Sequence, residues 1–275
     1  MRQSRRPWHA HVTTARPYQQ PRRVLCRSGT AGGGLMDVRI GLLDGFTLGP
    51  EPGGPAGQDA VPRAVQRLVA LVCLTGRPGR AAVAGQLWGD VPEDQAQASL
   101  RSALWRLHRV APGLLDTSRG ALALAPGVGV DVRDLVAWAF RTRDPRTALD
   151  DLELPPADLL GDLLPGWHED WVLVERERLR QLRLYALETL AARLAAAGRP
   201  GDAVAAAHFA VRGEPLRESA YRLLVRVHLA EGDVAAAVST YRQFRTRLRD
   251  ELGIDPTDQL TRLVAHLGEG RRLAS

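Results

Sequence analysis

Five side chains that can contact nucleic acid occur close together in one predicted helix. They are Arg101, Ser102, Trp105, Arg106 and Arg109. A guanidinium group donates paired hydrogen bonds to guanine edges or to phosphates, and a serine hydroxyl can donate or accept. No acidic residue lies between Gln95 and Arg109. This chemistry predicts a surface that enters the major groove of double-stranded DNA.

The same stretch carries an apolar stripe at helical spacing. Its members are Leu100, Ala103, Leu104, Leu107 and Val110. A recognition helix needs this division, because one stripe anchors it on the domain while the other faces the groove. Two alternatives remain open. The arginines can form a solvated helix face, and Trp105 can pack against a neighbouring β-hairpin or a second domain instead of touching DNA.

The elements around this helix predict a winged helix-turn-helix domain over residues 36–130. Alternating apolar residues from Val38 to Leu42, an Asp44-Gly45 turn and a short second strand come first. Helices follow after Pro62, around Val83 to Trp88, and from about Pro92 to Val110. A hairpin then turns at Ser118-Arg119-Gly120. Arg119 at this tip is either solvated or reaches a minor groove or a phosphate.

From residue 131 to residue 275 the pattern predicts an all-helical domain. Helices are expected over about 132–141, 147–152, 167–197, 216–230 and 233–252, with a last helix carrying Leu260, Leu263, Val264 and Leu267. Shifting the sequence by 34 residues places Leu190 on Leu224, Gly198 on Gly232 and Ala203 on Ala237. That is the period of TPR-like repeats, in which paired helices pack small residues closely.

Composition argues against an enzyme. The chain contains no lysine, which excludes a P-loop lysine and a Schiff-base lysine. Its two cysteines are Cys26, near the start of the chain, and Cys73, on an apolar helical stripe, so we expect no disulfide, metal site or cofactor. Between Thr147 and Asp170 there are seven acids and no basic residue. This run could hold a cation, but its irregular spacing favours a solvated loop and the start of a helix.

The net charge of +6 does not describe the predicted domains. Residues 1–35 contain seven arginines and no acid, whereas the remaining residues have 30 basic and 31 acidic side chains. The first 35 residues predict a disordered basic tail, which either has no role, touches DNA phosphates, or follows from a wrongly chosen start codon. They lack the apolar core of a signal peptide, and no apolar run is long enough to cross a bilayer. We therefore expect a cytoplasmic protein without a membrane partner.

Several segments resemble a known family. The DNA-binding domain of the Streptomyces antibiotic regulatory protein (SARP) family is similar to Leu87–Asp90 followed by Ala98–Arg109. Its partner, the bacterial transcriptional activator domain, is similar to the segments Leu163–Val172, Glu175–Leu179, Glu214–Glu218 and Glu251–Pro256. The resemblance covers about residues 36–268. It implies a winged helix of the response-regulator type that binds promoter repeats, often as a dimer, and recruits RNA polymerase to secondary-metabolite or similar gene clusters.

The sequence thus favours a sequence-specific DNA-binding transcription regulator, and activation rests on the resemblance alone. The rival hypothesis is a TPR-like protein-interaction scaffold whose winged helix does not bind DNA specifically. The two hypotheses differ in the role of the Arg101–Arg109 face, because only the first requires that face to contact a duplex.

Overall fold

A computed structural model describes residues 38–49 and 61–265, which belong to one compact unit. The predicted basic tail and Leu267 lie outside the described residues. The described part is mainly helical, with two small sheets. It confirms the predicted fold class, in which a winged helix-turn-helix precedes an all-helical region.

A short hairpin opens the described chain. β1 (Arg39–Gly41) pairs antiparallel with β2 (Thr47–Gly49), which places Ile40 opposite Leu48. The predicted Asp44-Gly45 turn joins the strands with positive φ angles of 59° and 135°. Glycine adopts this region at little steric cost, and aspartate tolerates it better than most residues.

Three helices follow, as predicted. They are α1 (Arg63–Thr75), α2 (Arg80–Leu87) and α3 (Glu93–Val110). Pro62 precedes α1, and Gly76 ends it with a positive φ of 83°. α3 packs against both α1 and α2, which bury its apolar stripe.

A second hairpin confirms the predicted wing. β3 (Leu115–Asp116) and β4 (Ala123–Leu124) pair antiparallel, and a 3-10 turn over Ser118–Gly120 joins them. β5 (Gly129–Val130) then pairs parallel with β1. The first sheet therefore has the strand order β2-β1-β5.

Six helices make up the remainder of the described chain. They are α4 (Asp131–Arg143), α5 (Asp170–Ala196), α6 (Pro200–Gly213), α7 (Glu218–Ala230), α8 (Val234–Leu252) and α9 (Asp258–Ala265). The predicted 34-residue period is confirmed, because residues 34 positions apart have similar backbone conformation or burial. Gly198 and Gly232 both have left-handed φ angles, 73° and 78°, and Ala203 and Ala237 are both fully buried.

The helix predicted around Thr147 to Leu152 is wrong. The structure has a single 3-10 turn there, Leu149–Asp151. The carbonyl of Thr147, which would accept from the amide of Asp151 in an α-helix, instead accepts from the guanidinium group of Arg193 at 2.5 Å. The amide of Asp151 donates to the carbonyl of Ala148, which gives the tighter 3-10 turn.

Asp131 joins the first sheet to α4. Its Oδ2 atom accepts hydrogen bonds from the amides of Leu42, at 2.7 Å, and Leu43, at 2.8 Å. Its Oδ1 atom accepts from the amide of Val132 at 2.6 Å. Asp131 is only 5% exposed. Its hydrogen bonds compensate the buried amides for the hydrogen bonds with water that they lose on folding.

The segment between α4 and α5 contacts the β1–β2 hairpin. Leu43 and Leu163 form an antiparallel bridge, and the amide of Leu164 donates to the carbonyl of Leu42 at 2.8 Å. A single hydrophobic cluster consequently runs from Ile40 to Val227. The two predicted domains share this core.

Arg176 of α5 fixes the segment that returns to the hairpin. Its guanidinium group donates to the carbonyls of Leu163 at 2.7 Å, Leu164 at 2.6 Å and Trp167 at 3.0 Å. Leu164 has a φ of 44°, an unfavourable value for a leucine. The three hydrogen bonds help to hold the backbone in this turn.

The acid-rich run is largely exposed and α5 begins at its last acid, Asp170, as predicted, but three of its acids also form ion pairs that the sequence did not indicate. Asp158 pairs with Arg39 at 3.5 Å, and Glu169 pairs with Arg63 and Arg67 of α1, each at 3.2 Å. Asp162 lies 3.5 Å from the buried Arg183. Asp158 and Glu169 therefore contribute to packing between the winged helix and the helical region, whereas Asp162 pairs within the helical region.

Candidate nucleic-acid interface

The predicted contact face of α3 is exposed to solvent. Its five residues, Arg101, Ser102, Trp105, Arg106 and Arg109, all have exposed side chains. On the opposite side, Ala96, Leu100, Ala103 and Leu107 are buried against the domain. The amphipathic pattern has thus produced one anchored stripe and one free stripe.

Two members of the apolar stripe are less buried than predicted. Leu104 is half-buried, and Val110 is 45% exposed. Val110 is the last residue of α3, so the prediction that it belongs to the buried face was wrong. A helical wheel gives the direction of each side chain but not whether the rest of the domain extends as far as the end of the helix. At Val110 it does not, so this side chain is left exposed.

Trp105 is the most conspicuous side chain on this face, with 60% of its surface exposed. The guanidinium carbon of Arg109, one turn further along the helix, lies 5.0 Å from the centre of its ring. A cation over an aromatic face is a favourable arrangement, worth about 0.5–1 kcal/mol at an exposed site. The pair presents a flat apolar ring and a guanidinium group next to each other.

The serine of the face is tied to its own helix. The Ser102 hydroxyl donates to the carbonyl oxygen of Ala98 at 3.0 Å. Its oxygen lone pairs remain able to accept, and the hydroxyl can rotate to a new partner at a small cost. Ser102 is therefore suited to a supporting contact.

Acidic side chains on α3 are confined to its first turn, where Glu93 and Asp94 lie. That location suits the positive end of the helix dipole. Further along α3, none of the three arginines of the face forms an ion pair with any residue in the described ranges. Their positive charge is thus available to an external anion.

The wing is attached to the start of α2. The amide of Leu122 donates to the carbonyl of Pro78 at 2.9 Å, and Gly79 forms an antiparallel bridge with Ala121. Arg80, the first residue of α2, is exposed. The backbone of Arg119 lies in the 3-10 turn at the hairpin tip, as predicted. The side chain of Arg119 is outside the described part of the structure.

Several residues that position this face were missed by the sequence reasoning. Arg63 and Arg67 fix α1 through Glu169, and Asp131 fixes the first sheet. The only local signal for Asp131 was an aspartate at the start of a helix directly after a strand. Its partners lie 88 and 89 residues earlier in the sequence, so nothing local indicated them.

Other chemistry finds little support in the described residues. The ranges 38–49 and 61–265 contain no group of three His, Cys, Asp or Glu side chains that could hold a metal ion. No helix of the described chain is long and apolar enough to cross a bilayer. The sulfur of Cys73 is buried, and this burial raises its pKa to about 12. A thiol with so high a pKa is a poor nucleophile.

Comparison with known proteins gives consistent matches. Residues 135–267 match the family model of the bacterial transcriptional activator domain. The regulatory protein AfsR of Streptomyces coelicolor is 32% identical over 237 residues, which is 81% of this chain and 24% of that protein. AfsR of Streptomyces griseus is 30% identical over 214 residues, which is 72% of this chain and 22% of that protein. The chain spans about a quarter of the length of these relatives.

A solved structure shares the fold. Mycobacterium tuberculosis EmbR, in complex with a low affinity phosphopeptide, superposes with a TM-score of 0.65 at 21% sequence identity. The likeness covers 85% of this chain and 65% of that chain. The described architecture therefore has an experimentally determined counterpart.

Proposed function

Since this chain is homologous to the AfsR regulatory proteins and carries a bacterial transcriptional activator domain at residues 135–267, we propose that it is a cytoplasmic, sequence-specific DNA-binding transcription regulator. The observation that carries the proposal is the exposed cationic face of α3, with its free arginines and a 60% exposed tryptophan. A recognition helix in a winged helix-turn-helix presents such a face to the major groove.

The state of the other arginines supports this interpretation. Arg176, Arg193 and Arg217 are all engaged by carbonyl or carboxylate groups within the chain. Arg101, Arg106 and Arg109 have no such partner among the described residues, and unlike other exposed arginines such as Arg226 they lie together on a helix whose acids are confined to its first turn. Three positive charges on one short helix repel one another, and an external polyanion would offset that cost.

We assign different contacts to the members of the face. Arg101 and Arg106 would donate to guanine edges or to phosphates, and Ser102 would add a weaker polar contact. The ring of Trp105 would meet a thymine methyl group or the sugar backbone. Arg119 at the wing tip and Arg80 at the start of α2 would contact the backbone of an adjacent groove.

The regulator would act as an activator on promoter repeats of a secondary-metabolite or similar gene cluster. In this proposal two chains bind one promoter, and the helical region recruits RNA polymerase. Outside residues 1–35 the chain is almost neutral, with 30 basic and 31 acidic residues. DNA affinity would therefore be modest for one chain and would benefit from the basic tail and from pairing on DNA.

The direct test is selection of binding sites from random duplex DNA by the full chain, followed by gel shift of the selected duplex. We expect a recurrent motif that is bound at least about 1,000-fold more tightly than a scrambled duplex at physiological salt. Affinity should also fall steeply as salt is raised, because phosphate contacts release counterions. Recovery of no motif, with equal weak binding to every duplex, would favour the scaffold hypothesis.

A further inference from the structure

Trp105 lies opposite the anchored side of α3. The side of this helix that packs on the domain carries four buried residues, Ala96, Leu100, Ala103 and Leu107. Since an α-helix turns by about 100° per residue, Trp105 lies about 170° around the helix from the centre of that side. Among the five residues of the exposed face, it points most directly away from the domain. It is therefore the side chain that reaches deepest into any groove that α3 enters.

The arginines of the face surround this ring. Arg101 and Arg106 lie on opposite sides of Trp105, roughly 40° and 100° away around the helix. The guanidinium carbon of Arg109, one turn further along, is 5.0 Å from the ring centre. A helix seated in the major groove with this face would direct cations toward both walls and the aromatic ring toward the floor.

The ring is also free to make an external contact. With 60% of its surface exposed, it is not covered by the wing or by the helical region, either of which could have buried it. A partner that covers the ring would remove apolar surface from water, which is favourable. That partner must offer an apolar group at the position that the ring reaches.

One kind of group on the groove floor meets this requirement. The base edges there present mainly nitrogen and oxygen atoms, which would lose hydrogen bonds with water if an aromatic ring covered them. The exception is the C5 methyl group of a pyrimidine, which is apolar and projects into the major groove. Thymine carries this methyl group, and 5-methylcytosine carries it at the same position of the ring.

From this geometry we propose that Trp105 recognises the C5 methyl group of one pyrimidine in the bound site, in thymine or in 5-methylcytosine. The contact depends on the proposed function, because it requires α3 to lie in the major groove. It places the ring on the groove floor and not against the sugar backbone. It also has a regulatory consequence, since methylation of a cytosine at this position would strengthen binding.

Gel-shift titration of the full chain on the selected duplex tests the thymine contact. Each thymine of the site is replaced in turn by uracil, which lacks the methyl group and keeps the same hydrogen-bonding edge. At one position we expect the uracil duplex to bind about 4-fold more weakly, the factor that corresponds to burial of one methyl group.

The second source of the methyl group is tested at the same position. Two further duplexes carry cytosine or 5-methylcytosine there, each paired with guanine. The methylated duplex should bind about 4-fold more tightly than the unmethylated one.

Variants connect both differences to the ring. Trp105→Ala should remove them, and titration at low salt keeps this variant on DNA through its phosphate contacts. Trp105→Phe, which keeps a smaller ring, should retain part of each difference. Tyr185→Ala is the matched control, because Tyr185 of α5 is 53% exposed and the guanidinium carbon of Arg217 lies 4.6 Å from its ring centre. It should leave both differences unchanged, and circular dichroism checks the fold of every variant.

Three results would each overturn the proposal. The first is a specific duplex in which uracil lowers affinity at no position, and the second is equal binding of cytosine and 5-methylcytosine. The third is an undiminished effect of the methyl group in Trp105→Ala, which would assign that effect to duplex shape. In all three cases the chain still binds its selected duplex, so the proposed function stands. Selection that yields no motif contradicts the proposed function and this contact together.

Discussion

The guanidinium carbon of Arg63 lies 3.5 Å from the centre of the Trp167 ring, and an Nη atom of the same group lies 3.2 Å from the carboxylate of Glu169. Arg63 begins α1, whose packing supports α3, and Trp167 lies in the turn before α5. The contacts of Arg63 therefore connect α1, on which α3 packs, to the helical region. Orientation of the exposed face depends on both parts of the chain.

Trp167→Ala should lower the free energy of unfolding by about 3–5 kcal/mol, because it removes a large buried ring and leaves Arg63 without its aromatic contact. Trp167 is only 5% exposed. The matched control is Trp105→Ala at the 60% exposed tryptophan, which should lower the free energy of unfolding by about 1 kcal/mol or less. Urea denaturation followed by circular dichroism measures both. Similar losses for the two variants would show that the Trp167 contact does not stabilise the protein.

Asp131→Ala should destabilise the protein by about 2–4 kcal/mol, because it leaves the buried amides of Leu42 and Leu43 without an acceptor. Asp131→Asn should cost less, since its amide oxygen can still accept from those two groups. Chemical denaturation at neutral pH gives both values. An alanine variant as stable as the unmodified chain would contradict the proposed role of this carboxylate.

The same residue should make stability depend on pH. Burial raises the pKa of Asp131 from 3.8 to about 6, although hydrogen bonds from Leu43, Leu42 and Val132 oppose the rise. A raised pKa in the folded state favours the protonated form. The stabilisation that comes from binding this proton is thus fully present below about pH 4 and is lost as pH rises through about 6, whereas the hydrogen bonds from Leu42 and Leu43 remain. The difference in unfolding free energy between the unmodified chain and Asp131→Asn should fall over this window by at most about 3 kcal/mol. A constant difference would show that the pKa is not raised.

Cys73 should be unreactive in the folded protein. Its thiol is buried, and the resulting pKa of about 12 leaves almost no thiolate at neutral pH. Iodoacetamide at about pH 8 should leave the peptide containing Cys73 unmodified, as measured by mass spectrometry. The same reagent in guanidinium chloride should label it completely and provides the control. Rapid labelling without denaturant would indicate frequent opening of α1.

A fragment of residues 36–130 should not unfold cooperatively, even though it covers the whole predicted winged helix. It lacks Asp131, which accepts from Leu42 and Leu43, and Leu163, which bridges to Leu43. Those amides would be exposed together with part of the shared apolar core. Thermal unfolding compares this fragment with residues 36–275. A sharp transition of the short fragment at the same temperature would show that the winged helix folds independently.

Elements with a strong local signal were predicted well from the sequence. The apolar stripe of α3, the Asp44-Gly45 turn and the glycines that end repeated helices all depend on neighbours in the chain. The exposure of Arg101 and Trp105 followed from the same periodicity, because a buried stripe on one side of a helix leaves the other side free.

Long-range polar contacts were not predicted, for a physical reason. Asp131 accepts hydrogen bonds from amides nearly 90 residues earlier in the chain. Glu169 accepts one from Arg63, 106 residues earlier. Such pairs leave no periodic pattern, so the acids around Glu169 resembled an ordinary solvated loop. The helix expected near Thr147 was wrong because Arg193, 46 residues further along the chain, binds the carbonyl of Thr147, a contact that no local pattern indicates.

The decisive measurement is a gel-shift titration of the selected duplex with Arg101→Ala and with Arg106→Ala, using Arg226→Ala on α7 as the control. Each of the two α3 variants should bind the selected duplex about 5-fold to 150-fold more weakly than the unmodified chain does. This is the equivalent of losing about 1–3 kcal/mol of contact with a base. The control should bind as the unmodified chain does. If Arg101→Ala and Arg106→Ala both retain full affinity for the selected duplex, the exposed side of α3 is not the surface that binds DNA specifically.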